Sequence, residues 1–192
     1  MNTHTMALFP SLGEFGHRQT VVLEEERIIV VREKPLDIIK HSCEFFSASY
    51  EGRKKGTKRL MKITHMPPIV ISNSQMIIFF PLSSPENADC IWLAHNHVKD
   101  WDKIKGSHKN HKTLVIFSNL QTYPLSMQSS TFDLKVCRGS RLKHIMEESE
   151  EQAAHHPDHF SKVYEIGLYA EPKHLEEILL KEDGFYKLIS SL

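Results

Sequence analysis

The sequence predicts an α+β fold: a largely antiparallel sheet with packed helices and a helical C-terminal tail. Three observations carry this. Short β-branched segments separated by turn-forming clusters recur between residues 19 and 125. Leu36, Ile39, Cys43 and Phe46, spaced three, four and three apart, occupy one face of a helix. A second helical stretch follows Ser130, with Phe132, Val136, Leu142 and Ile145 as its inward face. The chain divides into a body, residues 1–150, and an acidic tail with a helix, residues 151–192.

Residues 19–32, QTVVLEEERIIVVR, are two strand-forming segments joined by an acidic turn at 24–26, hence a hairpin. A helix takes over at 35–46, opened by Pro35, whose missing N–H costs nothing in a first turn. Residues 47–56 are either a loop or the start of a second helix that includes 53–62. Gly52 and Gly56 each lower helix propensity by about 1 kcal/mol. Pro67 and Pro68 end that stretch, because a residue before proline avoids the α region. Two strands follow, 69–71 and 76–80, around the turn-forming Ser72, Asn73, Ser74 and Gln75. Residues 90–98 alternate enough for another strand, and the polar 100–112 reads as an exposed loop. Residues 114–117 and 122–125 form a further hairpin. Ser130 is placed as the cap of a helix over 132–148. In the tail, 155–159 is a linker, 162–169 a short strand, and a last helix starts at Pro172.

The formal net charge is zero, with 24 Lys and Arg against 24 acids, but the charges are unevenly placed. Residues 1–31 carry two basic residues and four acids, residues 32–146 eighteen and nine, and residues 147–192 four and eleven. A basic body with an acidic tail suits an anion binder that limits its own nonspecific association, and equally a body whose tail only solubilises it. No apolar run approaches the ~20 residues that span a bilayer. The start MNTHTMALFPSLGEF lacks the basic and continuous apolar regions of a signal peptide. Three widely spaced cysteines, Cys43, Cys90 and Cys137, read as reduced thiols. All of this places the protein in the cytosol.

Thirteen histidines invite a metal reading. Cys90, His95 and His97 share one segment, and a strand there would put His95 and His97 on one face. The paired spacings that make a zinc site convincing are missing, as is a fourth ligand, so no metal or other cofactor is expected. Ser140-Arg141-Leu142-Lys143 fits S-x-x-K without its companion motifs. No Walker loop, G-x-S-x-G elbow or G-x-G-x-x-G is present, and an enzyme is not expected.

The stretch KPLDIIKHSCEFFSASYEGRKKGT, followed by MPPIVIS, resembles the signature region of the competence transcription factor (ComK) family of Gram-positive bacteria. The matching residues are Lys34, Pro35, Leu36, Ile38, Ile39, Ser42, Cys43, Phe46, Ser49, Tyr50, Gly52, Arg53, Lys54, Pro67, Pro68 and Ile69. Ser47-Ala48 departs from the family's usual Gly-Ser. The likeness continues more loosely through FFPLSS, IWLAHNHV, FSN and Phe132 to Arg138, covering roughly residues 6–145. It implies a cytoplasmic, nucleoid-associated transcription activator of competence genes. It further implies a homo-oligomer on paired A/T-rich boxes of double-stranded DNA, with RNA polymerase and a Clp-protease adaptor as further partners. Residues 166–169, Ile-Gly-Leu-Tyr, match the adaptor-docking patch only in part, and the N-terminus lacks most of a strand usual before the MALFP-like segment.

Charge nominates the DNA-contacting residues. Arg53, Lys54, Lys55, Lys58 and Arg59 neutralise phosphates, Arg138, Arg141 and Lys143 form a second cluster, and Lys103, Lys105, Lys109 and Lys112 a third. Arginines suit the narrow minor groove of A/T tracts, where the negative potential is enhanced. The competing structural account pairs Arg53 with Glu51 or Glu44. The alternative function, a protein-interaction module that kept the fold and lost DNA binding, is motivated by the short N-terminus and altered tail.

Overall fold

A computed structural model describes residues 1–104 and 111–155. The chain divides into two compact units, Met1–Glu147 and Glu148–Leu192. Of the second, only the end of one helix lies within the described residues; His155, placed in the linker at 155–159, is its last residue, and the rest of that linker, the strand at 162–169 and the helix from Pro172 fall outside them.

The first unit is built on a six-stranded antiparallel sheet. Its strands are β1 (Thr5–Leu12), β2 (Arg18–Glu24), β3 (Ile28–Val31), β4 (Ile69–Ser72), β5 (Ile77–Pro81) and β6 (Trp92–Ala94), in the order β3-β2-β1-β6-β5-β4. The acidic hairpin at 24–26 forms as the sequence predicts, with Val22 opposite Ile29 and Leu23 opposite Ile28. Between β1 and β2, Phe15 sits in the left-handed region at φ 65° and is 99% exposed.

Alternation of side chains gives this sheet two apolar faces. On one, Leu8, Val22, Ile69, Ile71, Phe79 and Trp92 meet Ile39 and Cys43 of α1 (Pro35–Phe45), with Leu36 and Phe46 at the margin. The predicted helix face is the buried one. On the other, Phe80, Leu82 and Leu93 meet Val115 and Phe117 of β8 (Thr113–Phe117) and Leu125 of β9 (Thr122–Leu125). Those strands belong to a second, three-stranded sheet, β7-β8-β9, whose β7 is Val98–Lys103. Phe132 and Val136 of α3 (Ser129–His155) complete that layer, and Trp101 meets the Phe132 ring edge-on at 5.6 Å.

Three expectations are corrected. The segment 90–98 is not one strand: only Trp92–Ala94 pairs, and His95–His97 turns as a 3-10 helix. Residues 100–103 are not loop but part of β7 (Val98–Lys103), paired with β8. Its charges mislead because β7 is an edge strand, where Lys99, Asp100, Asp102 and Lys103 stand in solvent and discourage further pairing. Ser130 is not a cap, because α3 begins at Ser129 and Ser130 lies in its first turn. Phe132, Val136 and Leu142 are buried as expected and Ile145 partly so, and the α+β class holds.

Candidate nucleic-acid interface

The open alternative at 47–56 resolves as a helix, α2 (Tyr50–Met61). Ser49 supplies the reason: its Oγ accepts the Gly52 N–H at 3.0 Å, satisfying one of the free donors of the first turn. Glu51 in that turn, and Lys58 and Arg59 in the last, match the helix dipole. Tyr50, Thr57 and Met61 form the buried stripe. Together these outweigh the glycine cost.

Tyr50 belongs to the core on the α1 side of the sheet, while Met61 joins Val70, Ile78 and Leu142 on the opposite side. Helix α2 therefore runs round the β4 edge and covers it. The shared cluster of Met61 and Leu142 sets the last turn of α2 beside the middle of α3. That junction places two of the sequence's basic clusters as neighbours in space.

The five cations of α2 have two different fates. Arg53 lies half-buried and donates to Asn73 Oδ1 at 2.6 Å, from the β4–β5 turn, and makes neither of the expected pairs with Glu51 or Glu44. Lys54 reaches both Glu51 and Glu86 at 3.5 Å, with its ammonium 5.2 Å from the centre of the Tyr50 ring. Its charge is spent within the protein. Lys55, Lys58 and Arg59 have no acid within 4.0 Å among the described residues. At about 100° per residue these three share an arc of roughly 100° on the solvent side.

On α3 the three nominated cations do not form one face. Arg138 and Arg141 stand about 60° apart, but Lys143 lies some 160° from Arg141. Lys143 pairs with Glu147 at 3.8 Å. Arg141 is exposed and Arg138 half-buried. Of the third cluster, Lys103 and Lys112 are exposed, and Lys105 and Lys109 lie outside the described residues.

Sequence reasoning missed Lys135. It is only 6% exposed, and its Nζ donates to the Pro81 carbonyl at 2.8 Å. Burial, reinforced by the Arg138 charge, holds its pKa below the ordinary lysine value. A helical projection contains the signal, since Lys135 falls between Phe132 and Leu142 on the buried stripe. Asn73 had no signal at all, because its partner is 20 residues away in sequence.

His95 and His97, weighed above as metal ligands and set aside, serve as fasteners. His97 is buried. Its Nε2 donates to the Thr3 carbonyl at 2.6 Å, and its Nδ1 lies 2.7 Å from Ser118 Oγ. His95 Nε2 lies 2.9 Å from Ser140 Oγ, which in turn donates to the Val136 carbonyl. Its ring rests on Gly139 so closely that a Cβ there would fall 2.4 Å from His95 Cδ2. Burial, joined by the Lys143 charge and outweighing the Asn96 contact, lowers the His95 pKa. Cys90 is buried with Sγ 3.5 Å from the Ser83 and Ile91 carbonyls. Among the described residues, no three His, Cys, Asp or Glu side chains converge on a common point.

Comparisons with known proteins bear on the interface. The family model described as ComK protein matches residues 1–151. The competence transcription factor of Bacillus subtilis (strain 168) is 35% identical over 143 residues, covering 74% of this chain and 72% of the relative. No solved structure matches.

Proposed function

The chain belongs to the ComK family and is a transcription regulator of that type, and we propose that it activates competence genes by binding A/T-rich boxes in double-stranded DNA. The observation that carries the reading is the solvent face of α2, where Lys55, Lys58 and Arg59 have no acid partner among the described residues and lie beside the middle of α3. Three such cations on one arc can each displace counterions from a phosphate backbone. Arg138, Arg141 and Lys143 of the neighbouring α3 are further phosphate contacts in this reading. In this reading Arg53, steadied by Asn73, enters the minor groove, and Lys54 helps hold α2 in place. The protein works in the cytosol at the nucleoid, as a homo-oligomer on paired boxes. RNA polymerase and a Clp-protease adaptor are its other partners.

A gel-shift titration of A/T-rich against G/C-rich duplexes, repeated over a range of salt, tests the reading. The A/T-rich duplex is expected to shift at lower protein concentration, with log K falling linearly against log salt. A folded chain that shifts neither duplex at low salt would instead be the protein-interaction module.

A further inference from the structure

We propose that two copies of this chain pair edge to edge through β3, antiparallel about a two-fold axis at Val30, joining their six-stranded sheets into one. The inference deepens the homo-oligomer part of the function proposed above, and it can be tested without DNA.

The two edges of the six-stranded sheet differ. β4 is wrapped by α2, whereas β3 ends the sheet with no element beyond it among the described residues. Within β3, Ile29 and Val31 turn toward α1 and are partly buried. Ile28 and Val30 face the other way and remain 64% and 57% exposed. They lie opposite Leu23 and Val21, of which Leu23 packs against the second layer and Val21 does not. A short apolar edge strand with two branched side chains in water is a pairing template unless something covers it.

The backbone determines what can cover it. The Glu24 N–H donates to the Arg27 carbonyl at 2.9 Å, so Arg27 turns its peptide groups toward β2. Antiparallel alternation then turns those of Ile28 and Val30 away from β2, where they need a strand and not merely an apolar surface. In self-pairing, outward residues must meet outward residues, which excludes every register placing an even-numbered position opposite an odd one.

Among the remaining registers, the one with Val30 opposite Val30 of the second copy also matches the charges. Ile29 then falls opposite Val31, Arg27 opposite Glu33 and Glu26 opposite Lys34. Sliding by one step, to Ile29 opposite Ile29, puts Arg27 opposite Val31 and forfeits one match. Arg27 and Glu33 already hold Glu24 and His41 at 2.6 and 3.0 Å, but Glu26 and Lys34 have no ion pair among the described residues. A self-complementary edge makes an isologous pair, and because α2 blocks the other edge the assembly closes at two. Both basic α2 helices would then lie at the outer ends of the joined sheet, free for DNA.

Light scattering or sedimentation equilibrium on the full chain, without DNA, measures the mass. The unaltered protein is expected at the mass of two chains in the micromolar range. The I28K/V30K pair is expected at the mass of one chain with an unchanged circular dichroism spectrum, since both side chains already stand in solvent. Val30→Pro gives a second check, because it removes only the outward N–H of an edge strand. Glu26→Lys and Lys34→Glu should each weaken pairing about tenfold, because symmetry repeats the like-charge clash twice, and combining them should restore it. Three results would overturn the proposal: a one-chain mass for the unaltered protein, a two-chain mass surviving I28K/V30K, or a charge exchange that does not restore pairing.

Discussion

Lys135 places an ammonium among apolar side chains with one carbonyl to receive it, and this gives it a pH signature. Its folded pKa lies below the unfolded value, so between the two the unfolded chain binds more protons and stability rises with pH. Denaturant melts at pH 7, 9 and 10 on the wild type and Lys135→Met should show the difference moving in the wild type's favour as pH climbs. A constant difference would mean that the lysine titrates as it does in water. The cysteines make a second residue-scale test. Cys43 is buried and its thiol is pushed up to about 11 by burial, Cys90 is buried, and Cys137 is exposed. One thiol of three is expected to react quickly with a disulfide reagent in the native protein, and all three after denaturation. Gly56 sits within α2 with open space where a Cβ would go. Gly56→Ala should therefore stabilise the fold by about 1 kcal/mol in a thermal melt. Weaker DNA binding by that stabilised variant would place the duplex against the glycine.

At the scale of elements, α2 separates stability from binding. Replacing Lys55, Lys58 and Arg59 together with Ala touches no partner in the described structure, so the melt should move by less than about 0.5 kcal/mol. The salt slope for DNA should flatten by about 0.9 for each phosphate that the variant no longer neutralises. Lys54→Ala should do the reverse, lowering stability by removing the attraction to Glu51, Glu86 and the Tyr50 ring while leaving the slope nearly unchanged. A flattened slope from Lys54→Ala alone would show that this lysine, too, faces the duplex. The junction of α2 with α3 rests on Leu142, fully buried against Met61. Leu142→Ala should cost about 2–5 kcal/mol by urea melt.

For the whole molecule the governing quantity is the division of charge. Residues 32–146 hold twice as many basic residues as acids, and residues 147–192 hold nearly three acids for each basic residue. Deleting residues 150–192 removes repulsion toward a polyanion and should leave DNA binding intact or strengthened, measured by fluorescence anisotropy at fixed salt. A folded truncated protein that no longer binds would show that the tail is structural.

What the sequence determined by itself was local and periodic. The inward face of α1, the acidic β2–β3 turn, the β8–β9 hairpin and the apolar stripe of α3 all follow from spacing within a dozen residues, where backbone geometry leaves little choice. The tertiary structure decided whatever depends on a partner far along the chain. The charged segment 98–103 became a strand because β8 offered it an edge. His97 became a fastener to Thr3, 94 residues away along the chain. Counting charges nominated five equal cations on α2, but only the fold could distinguish Lys54, bound by Glu86 from another loop, from Lys55, Lys58 and Arg59, which have no acid partner among the described residues. A charge's identity is written in the sequence. Whether it remains available to DNA depends on which acid the fold brings within 4 Å of it.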